Sequence, residues 1–179
     1  WRKPLTEVIP MKPIIALIIA LLIAGCASHD GRGLKPGVSC LDDVIQLMGE
    51  PARRWQEPDG SQRLAYPRGP AGFNTFMVTI GPDGRMISLN GVLNMKTFAL
   101  IREGMTQEQV LRILGPSVAA WTIYFERRDE LVWEWRYCDP WNEPARFNVL
   151  FDNTTKKVRT TQGYPEVKRF REWCGNELQ

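Results

Sequence analysis

The chain carries one pattern twice, and a repeat of this length constrains the fold more than any single motif. The copies begin at Gly37 and Gly104. The second runs Gly104-Met105-Thr106-Gln107-Glu108-Gln109-Val110-Leu111-Arg112-Ile113-Leu114-Gly115-Pro116, and the first, one residue longer, runs from Gly37 through Val44 and Met48 to Gly49-Glu50-Pro51. In the second copy Thr106 is an N-cap, Gln109 completes a capping box, Met105 and Val110 form a hydrophobic staple, and Gly115-Pro116 stops the helix. In the first copy Ser39 and Asp42 take the capping positions, Cys40 and Leu41 carry the extra residue, and Val44, Ile45 and Met48 supply the apolar face. A short additional helix over Met95–Ile101 precedes the second copy.

Alternating strands follow each helix. In the first copy they are Arg53–Glu57, Gln62–Tyr66, Asn74–Ile80 and Arg85–Asn90, with turns at Asp59-Gly60 and Pro82-Asp83-Gly84. In the second they are Val118–Glu126, Leu131–Cys138, Ala145–Phe151 and Lys157–Thr161, joined at Arg128-Asp129 and Asp152-Asn153. The fold class is therefore α+β, two tandem units of one helix and a four-stranded antiparallel sheet, spanning 36–92 and 93–166 with a tail over 167–179. A three-turn helix buries its stripe on one sheet face and leaves the other open. Alternation puts Leu131, Trp133, Trp135 and Tyr137 towards the helix, with Phe147, Val149, Phe151, Trp121, Ile123 and Phe125 beside them. Glu134 and Arg136 fall on the opposite face, towards solvent or a partner.

The start of the chain addresses its location. Met11-Lys12-Pro13 followed by the apolar run Ile14–Ala24 has the form of a secretory signal, and the run is too short to span a bilayer. Residues 1–10 precede the first methionine and are read as an over-extended gene start. Ile23-Ala24-Gly25-Cys26 resembles a lipobox, which makes Cys26 the acylated residue of a lipoprotein, residues 1–25 a removed signal and 26–35 a tether. The resemblance to Gram-negative lipoproteins implies that Ala27, where inner-membrane retention uses an aspartate, favours the periplasmic face of the outer membrane. Several acyl chains hold a protein there at about 0.8 kcal/mol per buried methylene. Cleavage removes Arg2, Lys3, Lys12 and Glu7, leaving 20 basic and 19 acidic residues, so nucleic acid is not an expected partner.

Three cysteines remain beyond Cys26, in an oxidising compartment. Pairing Cys138 with Cys174 would tie the tail Phe170–Cys174 back onto a strand, leaving Cys40 in the first turn of the first helix as a half-buried thiol. No metal-ligand spacing is present, and the one histidine, His29, lies in the tether. A histidine-activated nucleophile therefore has no candidate, and Asp42-Asp43 and Asp129-Glu130 are explained by capping and turns. No cofactor and no catalysis are expected.

Gly104, Thr106, Val110, Leu114 and Gly115, followed by Trp133, Trp135 and Tyr137 and echoed by Gly37, Ser39, Val44, Met48, Gly49 and Pro51, resemble the SmpA/OmlA (BamE-like) family of outer-membrane lipoproteins. The tandem arrangement is similar to that of β-lactamase inhibitor proteins. The family's members carry a single unit, and the Pro after Gly115 departs from the pattern. The resemblance implies a non-catalytic module that stabilises an envelope complex through contacts to protein and anionic lipid, the barrel-assembly machinery among the partners. The expected contact residues are Tyr66, Arg68, Arg136 and Trp141. Two alternatives stand beside it: an inhibitor that plugs a hydrolase such as a β-lactamase, and a passive structural lipoprotein.

Overall fold

The computed structural model describes residues 31–69, 72–166 and 174. Helix α1 (Leu41–Met48) precedes strands β1 (Arg53–Gln56), β2 (Gln62–Pro67), β3 (Thr75–Ile80) and β4 (Met86–Gly91). A short helix α2 (Met95–Phe98) leads to α3 (Gln107–Leu114), and β5 (Ile123–Phe125), β6 (Glu130–Cys138), β7 (Pro144–Asp152) and β8 (Lys157–Pro165) follow. The fold is α+β, with two four-stranded antiparallel sheets ordered β1-β2-β3-β4 and β5-β6-β7-β8.

The two helices begin and end alike. The Gly37 N–H donates to the Met86 carbonyl at 2.8 Å, and the Gly104 N–H donates to Val158 at 2.8 Å. Cys40 bridges Arg85 as Thr106 bridges Lys157. The N-cap of α1 is thus Cys40, whose N–H donates to the Asp43 carboxylate at 2.8 Å, while the Ser39 hydroxyl accepts from Lys35. This replaces the expected Ser39 and Asp42 caps and moves the extra residue of the first copy ahead of the helix, to Val38-Ser39. At α3 the Thr106–Gln109 capping box forms as expected. Gly49 and Gly115 end the helices with φ of +82° and +73°.

The first sheet is buried on both faces, which corrects the expectation of an open one. Leu64, Tyr66, Phe76, Val78, Ile80 and Met86 pack on Val44 and Met48 of α1. On the other face Trp55, Ala65 and Met77 join a single core with Val110 and Leu114 of α3 and with Trp135, Phe147, Val149 and Phe151 of the second sheet. Helix α3 therefore lies between the two sheets. Polar contacts seal the seam: Trp55 Nε1 donates to Glu108 at 2.6 Å, and Arg112 pairs with Glu57 at 2.7 Å. From α2, Phe98 stacks on Phe147 with centroids 3.9 Å apart and meets Tyr137 edge-on at 4.8 Å.

The expected strand Val118–Glu126 is broken by 3-10 turns at Ala119–Trp121 and Glu126–Arg128, and only Ile123–Phe125 pairs with β6. Directly opposed residues share a face, and Ile123 lies opposite Val132 and Phe125 opposite Glu130. Trp121, Ile123 and Phe125 therefore leave the aromatic core, and the last two are exposed. At the other edge β8 runs four residues beyond the expected Thr161.

Gly115 measures how tightly the units meet. A Cβ there would stand 2.7 Å from Thr75 Cγ2 across the seam, whereas at Gly49 it would meet nothing within 4 Å. Both positions combine positive φ with ψ near 180°, a region that costs a side chain about 1–3 kcal/mol. Gly49→Ala is expected to cost about that much in urea unfolding, and Gly115→Ala a further 1–3 kcal/mol from overpacking. Equal losses would mean that the seam yields.

Candidate functional site

Two features stand out on the second unit, one a charged network on its sheet and the other a hairpin tip beside a groove. The outer face of the second sheet is not free, contrary to the expectation for Glu134 and Arg136. In the register of β6 with β7, Arg136 lies directly opposite Arg146. Like charges so placed repel, and two carboxylates relieve them. Glu166 accepts from Arg136 Nε and from Arg146 Nη2, each at 2.6 Å, and Glu134 pairs with Arg146 Nη1. Tyr164 donates to the second oxygen of Glu134 at 2.6 Å. Both guanidinium faces are covered, Arg136 by Phe73 at 4.2 Å and Arg146 by Trp121 at 3.9 Å. Burial pushes the Glu166 carboxyl up, but the hydrogen bonds from Arg146 and Arg136 outweigh it and hold the group below its ordinary value of 4.5. Tyr164 is raised by burial and by its bond to Glu134.

The β6–β7 turn is built to hold one shape. Asp139 Oδ1 accepts from the N–H groups of Trp141 at 2.9 Å and Glu143 at 2.8 Å. Asn142 takes φ +60°, a left-handed conformation asparagine tolerates, and its amide donates to the Cys174 carbonyl at 3.1 Å. Cys174 is disulfide-bonded to Cys138, Cα atoms 5.9 Å apart, so the described end of the tail is fastened to the base of the same hairpin. At the tip Trp141 is 80% exposed. Beside it a groove of about 380 Å³ runs between Phe73, Leu93, Met95, Lys96, Asp139 and Pro140.

The four expected contact residues therefore separate. Trp141 is presented to solvent. Arg136 is committed to Glu166 and Phe73, with its side chain 11% exposed. Tyr66 is buried against α1, because β2 turns it to the same face as Leu64; burial raises its hydroxyl to about 12. Arg68 is half-buried, 6.0 Å over the Phe76 ring, and lines a cavity between the units. Cys26 and His29 lie outside the described residues. Cys40 is a free, half-buried thiol at the N-cap of α1. Among the described residues no group of three or more histidine, cysteine or carboxylate side chains could hold a metal ion, and no helix is long and apolar enough to cross a membrane. Glu166, Arg146, Phe73 and Trp121 were not expected at a site, because the register that opposes the two arginines emerges only once β6 and β7 are paired.

No family model and no curated protein matches the chain. Among solved structures, a DUF4309 family protein of Bacillus subtilis subsp. subtilis str. 168 is similar over 76% of this chain and 85% of that chain, at 16% identity and a TM-score of 0.31, a likeness too slight to bear on function.

The depressed carboxyl of Glu166 sets a pH dependence. Its contribution is complete above the carboxyl's value in the unfolded chain and is lost as pH falls through the lower folded value. Glu166→Gln is expected to lower stability by about 2 kcal/mol at pH 7, and the gap to the native chain should shrink as pH falls below the ordinary glutamate range, as read by thermal unfolding across pH. Replacing Cys138 and Cys174 together with serine is expected to cost about 2–5 kcal/mol, measured by denaturant titration.

Proposed function

We propose that the protein is a non-catalytic, lipid-anchored interaction module of the cell envelope, held at the outer membrane by acyl chains on Cys26 and binding envelope proteins through the Trp141 hairpin and its groove. The exposure of Trp141 on a hydrogen-bonded, disulfide-fastened turn carries the reading. A tryptophan is costly to leave in water and is the side chain most enriched where binding energy concentrates. Holding it rigid removes part of the ordering cost of association. The groove beside it, with Leu93, Met95 and Pro140 on its walls and Lys96 and Asp139 at its polar positions, has the mixture of apolar surface and few polar groups that suits a protein segment. The SmpA/OmlA resemblance, with each helix-and-sheet unit read as one copy of that family's unit, supports a scaffold role, and barrel-assembly components are the partners it favours.

Placing a photo-crosslinking amino acid at Trp141 in intact cells is expected to capture a defined envelope protein, and the same label at exposed Ile87 of the first unit is not. Trp141→Ala should weaken the purified complex by about 2 kcal/mol or more, roughly thirtyfold. Capture of a hydrolase whose activity falls on binding would replace the scaffold reading with the inhibitor one, and capture of nothing specific would remove both. The anchor is tested separately. Cys26→Ser is expected to move the protein from the membrane to the soluble fraction, with loss of the acyl mass, and retention in the membrane would contradict the lipobox.

A further inference from the structure

We propose that the Arg136–Arg146 pair is a carboxylate-binding site that the chain fills with its own Glu166, and that it accepts in exchange a carboxylate carried on an apolar body. Four observations lead there. The two arginines oppose each other in the hairpin register, so the sheet itself creates a doubled positive charge. A carboxylate placed between them accepts one charge-assisted hydrogen bond from each guanidinium, one on each oxygen. The bridging Glu166 comes from beyond the end of β8 and accepts one hydrogen bond at 2.6 Å from each arginine. Aromatic rings from two separate segments, Phe73 and Trp121, cover the guanidinium faces and leave their edges to a carboxylate.

The fourth observation is space. Arg136 also forms part of the wall of a cavity of about 220 Å³ at the seam between the units, where Leu93, Pro116, Val118 and Trp135 give apolar walls. A ligand whose carboxylate took the place of Glu166 could lay an apolar body of about ten heavy atoms along those walls. Glu134 also pairs with Arg146, so exchange displaces Glu166 alone. The cavity shares Leu93 with the Trp141 groove and Phe73 borders both Arg136 and that groove, but the proposal does not depend on the function proposed for the groove.

The test is chemical rescue in the full chain. Glu166→Ala is expected to lower Tm by about 4–8 °C. Formate should recover part of that loss, and benzoate more at equal concentration, with the gain rising logarithmically as for a ligand that binds the folded state alone. Benzoate and N-acetylphenylalanine separate a small free acid from the carboxy-terminal end of a peptide; whichever gives the larger shift identifies the source. In the native chain Glu166 competes at an effective concentration of about millimolar or above, so each shift should be smaller there. Rescue must also vanish when Arg136→Leu is added. Recovery equalled by sodium chloride at the same ionic strength, persistence without Arg136, or no shift with any acid would overturn the site. Formate matching benzoate would overturn the role of the cavity. Should Glu166→Ala fail to fold, Glu166→Gln and the native chain provide the same comparison.

Discussion

The structure depends on one helix serving two sheets. Val110 and Leu114 of α3 are fully buried in a core that draws Trp55, Ala65 and Met77 from the first sheet and Trp135, Phe147, Val149 and Phe151 from the second. A helix of eight residues is marginal by itself and is held by the packing of its apolar face. Here the packing is doubled, and the first sheet gains a cover for the face that α1 does not reach. The two sheets are therefore not packed independently. The close contact of Gly115 with Thr75 and the hydrogen bond from Trp135 Nε1 to the Gly115 carbonyl at 3.3 Å place the end of that helix inside the seam.

Much of each unit was legible in the sequence because it rests on local rules. The Thr106–Gln109 box, the glycines that end both helices, and the alternation of Trp133, Trp135 and Tyr137 against Glu134 and Arg136 all follow from neighbours a few residues apart. What could not be read was the relation between units. The period of a strand says which residues share a face, and nothing about what covers it. Tyr66 was therefore expected outside although α1 lies over it, and Glu134 and Arg136 were assigned to the correct face but to the wrong surroundings. Trp121, Ile123 and Phe125 were misplaced for a different reason. Their parity was counted along one continuous strand, whereas the strand breaks at Ala119–Trp121 and its face is set by pairing with β6.

The candidate site divides along the same line. Trp141 follows a turn-forming Asp-Pro pair, and its exposure could be expected from that position. The Glu166 bridge could not, because it joins residues 30 and 20 positions apart through a register known only once β6, β7 and β8 are paired.

The second sheet thus carries two kinds of surface with opposed physical logic. Around Arg136 and Arg146 every charge has a partner, both guanidinium faces are stacked, and the carboxylate that balances them arrives from the chain's own continuation. Such a cluster is stable only while an anion occupies it, because removing one partner strands a half-buried charge. At Trp141 the reverse holds: an apolar side chain stands in water on a turn that three hydrogen bonds and a disulfide prevent from collapsing. The first carries its own carboxylate, and the second presents an apolar side chain to solvent. Both lie along one hairpin, Arg136 two residues before Cys138 and Trp141 three residues after it, so the β6–β7 connection positions both surfaces.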